Sequence, residues 1–204
     1  MRLPIVAVSV ELLDAPHYEG VKRCQLFHAY LGCLREAGLI PLLIAPDSTP
    51  TELQQILAGV DGVLLSGGDD IDLSLTGGDA PLKACKPVPE AQQKSVMAMV
   101  NIAIERDIPL LGICLGMQLM CDFSEEGDTD CLKIFNSKVK RFDNSLKVPQ
   151  IGWNTLFNLK TSLFDSIKEK EYMYLFHSFF VPVIPKTIAT SKYGISYSTA
   201  IKKN

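Results

Sequence analysis

Short apolar runs alternate with amphipathic segments along the first two-thirds of the chain. Apolar runs of this length, bounded by turn residues, predict buried strands, and the amphipathic segments between them predict helices. The alternation is typical of an α/β fold with a mostly parallel central sheet flanked by helices. We predict strands at residues 3–10, 40–45 and 61–65, and helices at residues 20–37, 49–58 and 90–106.

Two helix ends are marked by specific residues. Thr49 and Glu52 have the spacing of a capping box, and Pro50 stands at the first helical position, so the second helix begins there. Gly38 follows the first amphipathic segment and is expected to close that helix as its C-terminal cap. These signals fix two element boundaries without any knowledge of tertiary structure.

The pattern changes to β-rich segments after about residue 130. No low-complexity linker and no internal repeat separates this part from the first. We therefore predict one domain over residues 1–204. The β-rich segments are 132–142, 148–159, 172–176, 187–190 and 195–201.

One apolar run, residues 108–113, ends on a cysteine that stands between two glycines, Gly112 and Gly116. This pattern predicts a strand, a sharp turn and a helix, with Cys114 at the turn. A thiol at the start of a helix lies at the positive end of the helix dipole, which favours the thiolate. We predict Cys114 as a nucleophile. The chain has six cysteines. We expect the other five to be core residues, because free cysteine is among the most buried residue types. No pair has the C-x-x-C spacing of a zinc or redox site, so neither kind of site is predicted.

Composition restricts the classes of partner. The chain has 204 residues, is 47% hydrophobic and 21% charged, and carries a formal net charge of -3. That balance offers no basic face, so we expect no nucleic-acid partner. No apolar segment has the length of a membrane helix, and the N-terminal run lacks the features of a signal peptide. We therefore expect a cytoplasmic protein with no membrane partner.

The third predicted strand leads into a long loop, residues 66–89, that begins Ser-Gly-Gly-Asp-Asp and is rich in Gly, Pro and Asp. Open α/β sheets place their sites at the carboxyl ends of parallel strands, where this loop begins. Asp69, Asp70 and Asp72 could suggest a metal, but an acidic loop without histidine partners is more often solvated surface. We expect no metal and no cofactor.

Several motifs occur in the order found in the class I glutamine amidotransferases, and the chain resembles that family over nearly its whole length. They are Gly-Ile-Cys-Leu-Gly-Met-Gln-Leu at 112–119, Ser-Glu-Glu-Gly at 124–127, Val-Pro-Gln-Ile-Gly-Trp-Asn at 148–154 and Leu-Phe-His-Ser-Phe-Phe at 175–180. From residue 111 onward the similarity is to the glutaminase subunits of imidazole glycerol phosphate synthases. The segments 38–44 and 61–72 look more like the related γ-glutamyl hydrolases.

The resemblance implies a glutaminase that hydrolyses L-glutamine through a cysteine thioester and supplies ammonia to a partner synthase, in histidine or a related biosynthesis. Cys114 would be the nucleophile, and the backbone N–H groups of Gly68 and Leu115 would stabilise the oxyanion. Because strand ends of a parallel sheet meet at one edge, we expect the substrate-binding residues to gather there. They are Gly67, Gln118, His177, Ser178 and Phe179.

The family supplies its base and the group that orients it from a Gly-x-Gln-Phe-His-Pro-Glu type segment that follows the strand matched by residues 195–201. The three histidines of the 204 residues are His17, His28 and His177, and none stands at that position. We therefore expect either a truncated chain, lacking also the final strand and helix, or lost catalysis. The alternatives are a γ-glutamyl hydrolase acting on a γ-glutamyl amide and a catalytically incomplete binding or scaffold subunit.

Overall fold

A computed structural model describes residues 2–67, 88–126 and 128–203 of the chain. The described residues divide into two compact units, the first formed by 2–67 and 88–116 and the second by 117–126 and 128–203. The single glutamine amidotransferase-like domain over residues 1–204 stays a prediction. Among the described residues, no helix combines the length and the apolar character needed to cross a membrane.

The first unit contains a four-stranded parallel sheet and three helices. The strand order in this sheet is fourth, first, fifth and sixth, as counted along the chain. This arrangement confirms the predicted α/β fold with a parallel sheet. The elements are β1 (Ile5–Ser9), β2 (Glu11–Asp14), β3 (Lys22–Gln25), α1 (His28–Glu36), β4 (Ile40–Ile44), α2 (Pro50–Leu57), β5 (Gly62–Leu65), α3 (Glu90–Glu105) and β6 (Leu110–Gly112).

The core of the first unit is built from the two central strands of its sheet and from two helices. Strands β1 and β5 lie side by side at the centre of the parallel sheet. Helices cover the faces of such sheets, so the central strands bury their apolar side chains. Helix α2 packs against α3, and α3 packs against β5 and β6. The buried side chains include Ala7, Val8, Leu53, Leu57, Val63, Leu64, Leu65, Met99, Val100 and Ala103.

The capping box at the start of α2 is present as predicted. The Glu52 N–H donates to the Thr49 hydroxyl oxygen at 3.3 Å, and the Thr49 N–H donates to the Glu52 carboxylate at 2.7 Å. The Thr49 hydroxyl also donates to this carboxylate at 2.8 Å. The hydrogen bonds from the Thr49 N–H and hydroxyl lower the pKa of the Glu52 carboxyl, because they favour its ionised form. Pro50 occupies the first helical position, where its missing N–H costs nothing.

The helix predicted over residues 20–37 is wrong in its first half. Strand β3 pairs antiparallel with β2, and the helix begins only at His28. The hairpin gives this segment ladder hydrogen bonds and a Lys22–Asp14 ion pair at 2.6 Å. Gly20 has a φ of +73°, which suits a turn. Tertiary pairing therefore outweighs the amphipathic pattern of the sequence.

The second unit is mostly β-structure, which confirms the predicted change of pattern. A short helix, α4 (Leu115–Leu119), connects the two units. The six-stranded sheet has the order β13, β14, β12, β9, β7 and β8, and β10 pairs with β11 as a separate hairpin. These strands are β7 (Cys121–Ser124), β8 (Thr129–Asp130), β9 (Phe135–Arg141), β10 (Gln150–Thr155), β11 (Tyr172–His177), β12 (Phe179–Pro182), β13 (Thr187–Tyr193) and β14 (Ile195–Ile201), with a 3-10 helix at Ser162–Phe164.

Two small buried clusters contribute to the core of the second unit. One consists of Cys121, Val139 and Val181, from three neighbouring strands of the six-stranded sheet. The other is aromatic and consists of Phe142, Phe180 and Tyr197. The Phe142 and Phe180 rings are stacked, with their centroids 4.6 Å apart.

The β10–β11 hairpin exposes one apolar side. Residues Ile151 and Trp153 lie opposite Phe176 and Tyr174, so these side chains share one side of the two-stranded ladder. Trp153 and Tyr174 contact each other edge to face, with ring centroids 5.6 Å apart. We call this side the aromatic face; it consists of Ile151, Trp153, Tyr172, Tyr174 and Phe176. Each of these five residues is more than half exposed.

Candidate active site

The turn predicted around Cys114 is present. Strand β6 ends at Gly112 and α4 begins at Leu115, so Cys114 lies between a strand and a helix. Its φ is 56°, in the left-handed region that residues with a side chain seldom adopt. The Cys114 residue is exposed. A strained backbone that presents an exposed thiol at a strand-to-helix turn is the geometry of a nucleophile elbow.

Two glycines allow the end of β5 to approach this turn closely. A Cβ atom on Gly67 would lie 3.1 Å from the Cβ of Cys114. A Cβ atom on Gly116 would lie 3.3 Å from the Cβ of Leu65. Both distances are shorter than ordinary van der Waals contact between carbon atoms. The structure therefore brings Gly67 and Cys114 together, as expected from the sequence.

Tyr30 is a neighbour of this turn that sequence reasoning missed. The Gly67 N–H donates to its hydroxyl oxygen at 3.4 Å. Tyr30 lies in α1, a helix without fully buried residues. An aromatic residue in an amphipathic helix has no local feature that would point to this contact, so the sequence offered no signal for it.

Of the two predicted oxyanion residues, the structure describes only Leu115. Leu115 is the first residue of α4 and directly follows Cys114, as the prediction requires. Gly68 lies outside the described residues, and so do Asp69, Asp70 and Asp72. Within the described part of the chain, no three His, Cys, Asp or Glu side chains are grouped so that they could hold a metal ion.

The predicted substrate residues of the second unit meet at one backbone oxygen. Gln118 is only 8% exposed, and its side-chain amide donates to the Phe179 carbonyl at 3.3 Å. Nδ1 of His177 lies 2.7 Å from the same oxygen. Ser178 connects β11 to β12, and its carbonyl accepts a hydrogen bond from the Phe142 N–H at 3.1 Å. The structure therefore brings Gln118, His177 and Phe179 together within this unit.

His177 is held in an aromatic environment. Its ring lies against Phe142 and Tyr197, with centroid distances of 5.2 and 5.3 Å. Burial disfavours the charged imidazolium and lowers the pKa of His177 below its ordinary value of 6.5. Because the Phe179 carbonyl can only accept, the neutral ring carries its proton on Nδ1. Nε2 is buried and has no hydrogen-bond partner within residues 2–67, 88–126 and 128–203.

The other cysteines differ from the expectation that they are core residues. Cys24 and Cys33 are exposed, so the expectation is wrong for both. Cys24 lies in the β2–β3 hairpin, and Cys33 lies in α1, which buries none of its residues completely. Burial raises the pKa of the Cys121 thiol to about 12 and that of the Cys131 thiol to about 11. Cys85 is outside the described residues.

The fold and the cysteine turn together define the class of protein. Residues 4–124, more than half of the chain, match the Peptidase C26 family model. The chain belongs to this family.

Individual relatives agree with this class. The chain is 50% identical over 99 residues to the imidazole glycerol phosphate synthase subunit HisH of Bacteroides fragilis, a match that covers 47% of this chain and 50% of that protein. It is 38% identical over 115 residues to the subunit of the same name from Pasteurella multocida, with 55% and 58% covered. The chain spans about half the length of the curated relatives it matches.

A solved structure supports the fold. The crystal structure of a glutamine amidotransferase from Thermotoga maritima superimposes with a TM-score of 0.58 and 16% sequence identity. The match covers 98% of this chain and 76% of that one. At this identity the likeness concerns the fold alone, and it confirms the predicted α/β architecture.

Proposed function

We propose that the protein is a glutamine amidotransferase whose nucleophile is Cys114. The observation that carries this proposal is the turn itself, with an exposed thiol at a φ of 56° and the close approach of Gly67. The match to the Peptidase C26 family and the HisH relatives, together with the motifs shared with class I glutamine amidotransferases, support glutamine as the substrate. The relatives are named as synthase subunits, which favours an amidotransferase over the γ-glutamyl hydrolase alternative.

In the proposed reaction, the Cys114 thiolate adds to the side-chain carboxamide carbon of L-glutamine. The leaving nitrogen takes a proton from solvent, the tetrahedral intermediate collapses with release of ammonia, and a γ-glutamyl thioester remains on sulfur. Water then hydrolyses the thioester, which releases glutamate and restores the thiol. The backbone N–H groups of Gly68 and Leu115 are the proposed oxyanion donors; in comparable acyl-transfer sites, loss of one donor costs about 2.7–4 kcal/mol of transition-state stabilisation.

The remaining part of the proposal concerns recognition of the substrate. By the family resemblance, Gly67, Gln118 and the backbone of residues 177–179 contact glutamine and hold its amino-acid end. The shared hydrogen bonds at the Phe179 carbonyl support this assignment for the second unit, because they fix the conformation of the chain at the β11–β12 junction.

An active-site label tests the proposed function directly. We expect a chloroketone analogue of glutamine to form one covalent adduct, located by peptide mass spectrometry on Cys114. L-glutamine should slow the labelling, and D-glutamine should not, because only the L isomer fits an amino-acid subsite. The Cys114→Ala variant should lose the adduct, whereas Cys33→Ala, which removes another exposed thiol, should keep it. Labelling at Cys114 without protection by L-glutamine would contradict glutamine as the substrate.

The proposed partner is a synthase subunit that receives the ammonia. The HisH relatives are named as subunits of imidazole glycerol phosphate synthase, which supports an assembly of this kind. The aromatic face also supports it, because a contiguous exposed patch of large apolar side chains is typical of a protein interface. Tryptophan and tyrosine are the residues that most often dominate binding energy at such interfaces.

Loss of the indole from the aromatic face is expected to weaken partner binding. We expect Trp153→Ala to raise the Kd for the other subunit of imidazole glycerol phosphate synthase at least about 30-fold, which corresponds to a hot-spot loss of about 2 kcal/mol. Isothermal titration calorimetry measures this change. Tyr18→Ala removes a similarly exposed aromatic side chain from the β2–β3 turn and serves as the control. Equal affinities of the two variants would contradict this role of the aromatic face.

A further inference from the structure

The carbonyl oxygen of Phe179 accepts hydrogen bonds from two side chains. The His177 Nδ1–H donates at 2.7 Å and the Gln118 amide at 3.3 Å. A single carbonyl with two side-chain donors has both of its lone pairs satisfied, so its orientation is fixed from two sides. The residue just before it is also held, because the Ser178 carbonyl accepts from the Phe142 N–H.

Packing alone does not explain a histidine at position 177. The ring lies against Phe142 and Tyr197, an environment that would suit a phenyl ring equally well. In addition, Nε2 is a buried acceptor with no hydrogen-bond partner in the described part of the chain, which is unfavourable. A phenylalanine would lack the Nδ1–H donor, and in His177 this donor makes the hydrogen bond to the Phe179 carbonyl.

We propose that His177 is a positioning residue, which acts through the Phe179 carbonyl on the backbone that binds the amino-acid end of glutamine. This inference rests on the proposed function and deepens it. His177 takes no proton from substrate in this role, because Nδ1 already donates and Nε2 is buried. Its contribution is to the binding of substrate before chemistry begins, and Gln118 shares it.

Three variants separate this role from packing and from catalysis. His177→Asn keeps a donor close to the position of Nδ1, His177→Gln moves the donor outward to the position of Nε2, and His177→Phe keeps the ring without a donor. The readout is the rate of Cys114 labelling by the chloroketone analogue of glutamine at several concentrations. It gives an apparent binding constant and a maximal labelling rate, and L-glutamine protection provides a second binding constant.

We expect the Gln and Phe variants to bind the analogue and L-glutamine about tenfold more weakly, with maximal labelling rates within about twofold of the unaltered chain. His177→Asn should recover at least half of the lost affinity on a logarithmic scale. The Asn and Gln variants are matched in polarity, so their comparison stands even if the Phe variant fails to fold.

Three outcomes would overturn the inference. Equal binding constants for all variants would show that the Nδ1 donor has no role in binding, while the proposed function would stand on the labelling of Cys114. A fall in the maximal rate for all three variants, with unchanged binding constants, would assign His177 to the chemistry. If the unaltered chain is not labelled at Cys114, the proposed function itself fails, and the inference fails with it.

Discussion

In a coupled ammonia assay, the 204-residue chain is expected to release ammonia from glutamine at a rate within about tenfold of its Cys114→Ala variant. The proposed nucleophile Cys114 is present, but His17 and His28 are exposed residues of the β2–β3 turn and the start of α1. His177 donates from Nδ1 to a carbonyl and buries Nε2, so its ring is not available as a base. Removal of one member of a catalytic unit costs about 10⁴-fold or more in turnover.

The assay includes the chain with and without the proposed synthase partner, together with the variants Cys114→Ala and His177→Ala. Because binding of glutamine and turnover are separate properties, slow acylation of Cys114 without sustained release of ammonia agrees with the expectation. Robust turnover that disappears in His177→Ala would overturn it. That result would make His177 the working base and would also contradict its role as a positioning residue.

Limiting iodoacetamide is expected to modify Cys114 first and Cys121 last. Only the thiolate reacts, and burial raises the pKa of Cys121 from its ordinary value of 9.0 to about 12, so its thiolate fraction at neutral pH falls about a thousandfold. The corresponding fall for Cys131, with a pKa of about 11, is about a hundredfold. Time-resolved peptide mass spectrometry measures the order of modification.

Cys24 and Cys33, the other exposed cysteines among the described residues, are the informative comparison in this experiment. Like Cys114, both residues are exposed, but neither lies at a strand-to-helix turn. Labelling of the urea-unfolded chain provides the control, since all cysteines should then react at similar rates. If Cys24 or Cys33 reacts before Cys114 in the folded chain, the turn does not activate its thiol.

The sequence predicts those parts of the fold whose cause is local. The apolar runs of β1, β4 and β5 form one parallel sheet, and the capping box marks the start of α2. Burial is predicted less well, because in β4 only Ile44 is buried, whereas all of β5 is. The segment Lys22–Gln25 is different, because its hairpin hydrogen bonds come from residues eight or more positions away. An amphipathic pattern cannot show that such a partner exists, and the helix prediction fails there.

The same distinction applies to the candidate site. The Gly-x-Cys-x-Gly pattern and the preceding apolar run predict the turn at Cys114, because the backbone conformation there depends on adjacent residues. The Tyr30 contact with Gly67 joins residues 37 positions apart. The hydrogen bond from Gln118 to Phe179 spans 61 positions. Such contacts depend on how elements pack, so residue type and spacing alone do not specify them.

Trp153 is the single tryptophan of the chain, and it is 70% exposed on the aromatic face. Indole emission shifts to longer wavelengths in water, so the tryptophan fluorescence of the folded chain will already resemble that of the unfolded one. Thermal unfolding followed by tryptophan fluorescence will therefore show only a small change when either core unfolds. A molecule that covers the hairpin, by contrast, will shift the emission to shorter wavelengths and protect the indole from dissolved quenchers.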